Sequence, residues 1–317
     1  MKKLVAFSAG SKNGNTETFI KQALMAAEEM GVNVELIRLR DMVLEPCLLC
    51  AGICAAQNDP KKCIHKDDGV FLIEKFLDSD GVIFGAPVYS LTPPSIFFVF
   101  RDRVLGPKMD VASKEVFGRE PDFARGRFRE RPGALISVGG ARTAHWASLG
   151  LCNLYTAIFS AQVKIVDMMN VTRVAHAGAA TVRDDYMERA RSLGRNLANA
   201  ILTGDFSYCK EAPQGLCPSC HLNDVKWILD EQIVECLVCG IRGKIIVQNG
   251  IVSVEWLPDD EEQNKLTVKG KITHLKEIVD EMKNYYEPVK EEALARLEKF
   301  KNYNRCIVKS PTKEAKS

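Results

Sequence analysis

The chain has 317 residues, of which 46% are apolar and 26% charged, with a net charge of +2. That length accommodates one large domain and a smaller one, with the composition of an ordinary globular protein. So little net charge provides no global field for nucleic acid or an anionic membrane, and no apolar run reaches the length of a membrane span.

Met1, Lys2 and Lys3 begin like an export signal, but Ser, Gly, Lys and Asn interrupt before an apolar core can form. The expectation is a cytoplasmic protein with reduced thiols. Residues 4–7 form a short apolar strand, and a small polar loop, 8–16, follows. Phe19, Ala23, Ala27 and Met30 then share one helical face, stopped by Gly31. Residues 32–37 alternate as a strand, 70–77 read as a helix and 81–84 as a buried strand leading into Gly85-Ala-Pro-Val-Tyr-Ser90. A strand over 133–138 ends at Gly139-Gly140, another covers 163–166, and 186–202 forms a closing helix. Strands alternating with helices imply an α/β fold, a doubly wound parallel sheet with helices on both faces. That domain takes residues 1–204.

A linker, 205–216, leads to a second module at 217–258. There Asn249-Gly250 joins two apolar runs as a hairpin. Helices within 272–303, separated at Pro288, and a disordered tail, 309–317, complete the chain.

The loop 8–16 joins a strand to a helix N-terminus, where backbone N–H groups and small hydroxyls suit a phosphate. It lacks the Gly-Lys-Ser/Thr of a Walker loop and the G-x-G-x-x-G of a dinucleotide fold. Alone, it reads equally well as a plain polar turn. Two further loops, Gly85–Ser90 and Gly139–Arg142, end strands at the same sheet edge, and together the three describe a site for a mononucleotide with a flat ring.

Ser11-Lys-Asn-Gly-Asn-Thr16, Gly85-Ala-Pro-Val-Tyr89, Arg101-Asp-Arg103, Gly139-Gly-Ala-Arg142 and Ala190-Arg-Ser-Leu-Gly-Arg195 occur in this order. In these pieces the sequence resembles the flavodoxin-like NAD(P)H-dependent FMN reductases and their iron–sulfur flavoprotein relatives. The resemblance implies that Ser8, Ser11, Asn13, Asn15 and Thr16 hold the FMN phosphate, with Lys12 as its cation. It implies that Pro87, Val88, Tyr89 and Ser90 line the isoalloxazine and that Gly139 and Gly140 approach its other side. Where the family continues Gly-Gly-Gln-Glu, this chain has Ala144-His-Trp-Ala147, so His145 and Trp146 are candidates for the substrate side.

Eight of the eleven cysteines fall into two quartets. Cys47-x2-Cys50-x3-Cys54-x8-Cys63 is compact enough for one loop to wrap a cubane cluster, and iron–sulfur flavoproteins carry a similar run. The expectation is a [4Fe–4S] cluster, with reduced thiols or zinc as alternatives. Cys217-x2-Cys220-x15-Cys236-x2-Cys239 has the spacing of a four-thiolate zinc ribbon, with rubredoxin-like iron as the competitor. Cys152, Cys209 and Cys306 stand alone and read as packing thiols. The arginines at 119, 125, 127, 129 and 131 are either a grip for an anionic group or a solvated insertion, the second being preferred.

The functional expectation is an FMN-dependent oxidoreductase moving electrons between NAD(P)H or a redox-protein donor and an acceptor, through FMN and an iron–sulfur cluster. The alternative is a non-catalytic electron-transfer or redox-sensing flavoprotein that docks a partner through the ribbon. A homo-oligomer is expected, with neither nucleic acid nor membrane as partner.

Overall fold

A computed structural model describes residues 1–48, 50, 59–118, 122–209, 216–258 and 260–308. Cys54, Arg119 and the tail 309–317 therefore lie outside the described residues. Five strands, β1 (Lys3–Ser8), β2 (Asn33–Arg38), β3 (Gly81–Pro87), β4 (Arg131–Val138) and β5 (Val163–Val171), form one parallel sheet in the order β2-β1-β3-β4-β5. Its central strands are buried on both faces, which explains their unbroken apolar runs. One face carries helices α1 (Asn15–Glu29) and, further along the chain, the closing helix Asp184–Thr203. The opposite face carries α2 (Gly69–Asp78), α3 (Ser95–Phe100) and, beyond α4 (Ala112–Phe117), helix α5 (Ser148–Thr156); the closing helix is α6.

The crossover from β1 runs outward to β2 and the next returns to β3, so the crevice between their carboxyl ends is the switch point of the sheet. On their shared face of the sheet, α1 and α6 pack closely: a Cβ on Gly194 would lie 2.1 Å from the Ala23 carbonyl oxygen.

Strand β5 extends five residues beyond the expected 163–166, through Asp167. A carboxylate in an apolar run reads as a strand end, but Asp167 is fully buried and paired. Arg189 of α6 donates to both its oxygens and Asn196 to one at 2.8 Å. Phe97 and Phe100 belong to the core, around Phe7 and Phe84. Three described arginines of the insertion fasten it to α2 and its flanks, while exposed Arg125 pairs with Asp122 within it. Arg127 bonds Glu74 and Asp78, Arg129 bonds Asp80, and Arg131, buried, caps the helix end at the Phe76 carbonyl.

Strands β6 (Val225–Ile228), β7 (Ile233–Cys236), β8 (Arg242–Gln248) and β9 (Ile251–Trp256) form an antiparallel sheet in sequential order. Asn249 and Gly250, both at positive φ, close the expected β8–β9 hairpin. The ribbon is not a self-contained module: Cys217, Cys220, Cys236, Cys239 and Ile241 join the apolar cluster that contains Phe7, Phe84 and Leu154. Compact structure continues to Ile272, and a second unit begins at Thr273. Helix α7 (Val268–Asp280) passes into a π turn, Glu281–Tyr286, and then α8 (Lys290–Lys301). Pro288 leaves the chain helical on either side, with Glu287 and Lys290 both in the right-handed region. No described helix is long and apolar enough to cross a membrane.

Candidate functional site

The first loop is shaped by short-range contacts. The Gly10 amide donates to Ser8 Oγ at 3.3 Å, and the Gly14 amide to the Ser11 carbonyl at 3.0 Å. A side chain on Gly10 would meet Thr16 Cβ at 2.8 Å, so the loop closes over Thr16 only with glycine there. No side chain caps the N-terminus of α1, leaving first-turn amides for an incoming anion. Glu17 in that turn is buried and neutralised. The Arg38 bond, opposed by burial and assisted by Lys21, holds its pKa down to about 2.

The second loop leaves β3 through Pro87 and Val88 into a tight reversal. Tyr89 and Thr92 exchange backbone hydrogen bonds of 2.8 and 3.1 Å, with Ser90 and Leu91 both at positive φ. Leucine in that region is uncommon, and the reversal leaves Tyr89 half exposed at the sheet edge. Arg40, after β2, donates to the Ala9 carbonyl at 3.3 Å and places its guanidinium 5.9 Å from the centre of the Tyr89 ring.

The third loop follows β4. Buried Gly139 donates to the Val171 carbonyl at 2.8 Å and lies against Ala147, which anchors the short turn bearing His145 and Trp146. A fourth loop, after β5, completes the edge. Asn15 ties it down with its whole side-chain amide: Nδ2 donates to the Val174 and His176 carbonyls at 2.9 Å, and Oδ1 accepts from the Ala180 amide at 3.0 Å.

These loops enclose a cavity of about 360 Å³. Ser11, Gly14, Asn15 and Thr16 line one end; Pro87, Val88, Tyr89, Val138 and Gly140 line the walls; Val174, Ala175 and Ala177 close the far side. Seven of the twelve flavin-site residues read from sequence therefore line one cavity. Ser8 and Gly139 are buried behind it as braces, while Lys12, Asn13 and Ser90 are exposed and outside the lining. Sequence reasoning missed the fourth loop because it ended β5 at 166. It missed Arg40 because nothing local marks an arginine after an edge strand. The volume is that of a ligand site, and a polar, amide-rich end with flat apolar walls fits a phosphorylated planar ring.

The second quartet is the group of His, Cys, Asp and Glu side chains that converges among the described residues. Its four buried sulfurs lie within 4.8 Å of one another, with Cys217–Cys239 at 3.3 Å and Cys220–Cys236 at 3.4 Å. The two knuckles share one backbone pattern. The His221 amide donates to the Cys217 carbonyl and the Gly240 amide to that of Cys236, with His221 and Gly240 both at positive φ. His221 also stacks on Tyr208, ring centres 3.7 Å apart. Thiols this close share protons when no cation is among them. Hydrogen bonds from neighbours push Cys217 and Cys236 down, and holding the protons pushes Cys220 and Cys239 up. A divalent cation would deprotonate all four, and a closed set of four buried thiolates fits structural zinc. Tyr155 of α5 packs in the same buried cluster as the four cysteines, and burial above all raises its phenol well above the ordinary value.

In the first cluster Cys47 and Cys63 are half-buried and Cys50 exposed. The stems of their loop are clamped together. Asp68 and Val43 bond each other's backbone or side chain at 2.7 and 2.9 Å; Asp67 accepts from the Glu45 amide; and buried Arg103 donates to both Asp67 oxygens at 2.9 Å and to the Glu45 carbonyl.

The sequence profile of the NADPH-dependent FMN reductases matches residues 2–172. This chain belongs to that family. Flavone synthase cfoJ of Aspergillus candidus is similar to this FMN reductase family member, with 31% identity over 276 residues and 82% of each chain covered. A solved structure titled flavone reductase superposes with a TM-score of 0.76 at 25% identity, covering 97% of this chain and 100% of that one. The iron–sulfur flavoprotein of Methanosarcina thermophila is 30% identical over 141 residues, which are 44% of this chain and 64% of that protein. The FMN reductase family member is thus an oxidoreductase of a flavoprotein fold.

Proposed function

We propose that this protein is an FMN-dependent oxidoreductase that takes hydride from NAD(P)H and delivers it to a planar aromatic enone of the flavone class. The observation that carries the proposal is the cavity at the sheet switch point, with its amide-rich end and its apolar walls. Bound there, FMN supplies hydride acceptance and donation. The first-turn amides of α1, Ser11 and Thr16 hold its phosphate, and Val88, Val138 and Val174 keep water from its ring. Tyr89 and Trp146, 50% and 55% exposed, offer aromatic surface to a flat substrate beside the ring. The relatives named for flavone chemistry support this substrate class, since the likeness extends through the ribbon.

A second reading adds one-electron transfer. The spacing of Cys47, Cys50, Cys54 and Cys63, with the tied stems at Val43–Glu45 and Asp67–Asp68 and the similarity to iron–sulfur flavoproteins, supports a [4Fe–4S] cluster as the electron exit. Zinc in the ribbon is structural in either case. Anaerobic protein reconstituted with iron and sulfide separates the two. NAD(P)H should bleach a stoichiometric flavin, and a flavone should restore its absorbance. Absence of bound flavin sinks both readings. A reduced flavin that no planar enone reoxidises, in protein containing about four irons and sulfides, leaves electron transfer as the function.

A further inference from the structure

The four loops that enclose the cavity, residues 8–14, 87–94, 139–147 and 172–183, contain no aspartate or glutamate, in a chain that has 41. They do contain Lys12, Arg142, Arg173 and Arg183. Arg183 is neutralised by Asp185 of α6. Among the described residues Lys12, Arg142 and Arg173 have no carboxylate partner, and all three are exposed. FMN has a single phosphate, for which the first loop and the α1 amides suffice. The cations of the third and fourth loops face a different anion.

Those two loops are stitched together at their arginines. Gly140 and Ala175 meet in the cavity lining, where a Cβ on the glycine would lie 3.0 Å from the alanine Cβ. Arg142 stands two residues after Gly140, and Arg173 two before Ala175. The Arg173 amide donates to the Ala141 carbonyl at 2.9 Å, and its Nε to the Arg142 carbonyl at 3.3 Å. That hold keeps Arg173 at φ 65°, a region arginine seldom occupies, and such strain gathers at ligand clamps. Two guanidinium side chains thus leave neighbouring points of backbone with no described carboxylate to pair them. A guanidinium matches phosphate oxygens two at a time, so a phosphate ester completes the arrangement. We infer that Arg142 and Arg173 seat a phosphate of the nicotinamide donor at the rim of the flavin cavity. The inference rests on the NAD(P)H reading above and adds to it the residues that bind the donor's charge.

Anaerobic bleaching of the full-length, FMN-loaded protein by NADPH and by NADH tests this. Calorimetry with ADP-ribose and with ADP-ribose 2′-phosphate gives a second readout, free of turnover. Arg142→Ala and Arg173→Gly, singly and together, should leave the flavin spectrum unchanged. Glycine adopts φ 65° freely, so Arg173→Gly removes the guanidinium without disturbing the backbone. Each should raise the half-saturating donor concentration, and the dissociation constant of the matching fragment, at least about tenfold. Added salt should weaken donor binding more steeply in the wild type than in the double variant. Loss confined to NADPH and ADP-ribose 2′-phosphate supports the inference, with the 2′-phosphate as the seated group. Equal loss with NADH and ADP-ribose supports it with the pyrophosphate in that place. Bleaching by either donor at an affinity that none of the substitutions changes overturns the inference and leaves the donor reading standing. A wild-type flavin that neither donor bleaches overturns the donor reading, and the inference with it.

Discussion

Asn15 shows how a site residue acts through its neighbours. Its side-chain amide makes three hydrogen bonds to the loop after β5, so it builds the far wall of the cavity and leaves the backbone of its helix turn for the anion. Asn15→Leu should remove bonds that are worth about 1 kcal/mol each. The expected result is loss of flavin affinity by at least about tenfold, by equilibrium dialysis, with α1 still folded; unchanged affinity would contradict this role. Glu17 yields a pH test of definite sign. Its pKa is lowered from 4.5 to about 2, chiefly by Arg38 against the opposing effect of burial. The stabilisation is therefore full above pH 4.5 and disappears as pH falls toward 2. In urea unfolding, wild type should exceed Glu17→Gln near neutral pH, and the difference should shrink below pH 4.5. A difference constant with pH would mean that packing, not charge, makes the contribution.

Among the elements, the contact of α1 with α6 is the least tolerant of added volume. Gly194 faces the Ala23 backbone so closely that a Cβ would sit 2.1 Å from its carbonyl oxygen, an atom that cannot rotate away. Gly194→Leu should cost at least about 1–3 kcal/mol, read as a lower urea midpoint, and should loosen flavin because α1 carries the phosphate loop. The same residue lies in the Ala190–Arg195 stretch, which the sequence marks as a piece of the family resemblance without showing its contact with Ala23. Elements were legible where a single periodicity ruled, as in α1, β1 and β3. Strand β5 was truncated because Asp167 looks like a strand end until Arg189 and Asn196 are brought to it from α6. For the insertion arginines sequence could not name the partners: Arg127 and Arg129 are tied to Glu74, Asp78 and Asp80.

Across the whole molecule, the ribbon and the flavin site are joined through α5. Tyr155 shares the buried cluster of the quartet, and Gly150, one turn and more earlier, lies where a Cβ would be 3.0 Å from Val88 of the cavity wall. Metal loss should therefore reach beyond the segment after Gly204. Cys236→Ser, or chelation, should raise hydrogen exchange in α5 as well as in β6–β9, and should lower flavin affinity several-fold with no loss of the parallel sheet. Exchange confined to the ribbon would restore the picture of an independent module. Zinc content by elemental analysis, near one per chain before chelation, is the accompanying control.

Sequence by itself determined the local and the chemical: alternating strands and helices, three glycine-containing loops at one sheet edge, and two cysteine quartets with ligand spacing. Each is carried by neighbours within a few residues, where backbone sterics and side-chain periodicity decide the outcome. Tertiary structure alone decided which residues share the cavity, because the loop after β5 reaches it from a strand remote in sequence, and Arg40 reaches the Tyr89 ring of its wall. It alone decided that the ribbon cysteines pack into the core of the larger fold. Burial and charge pairing across elements settled both, and neither leaves a periodic signature in the chain.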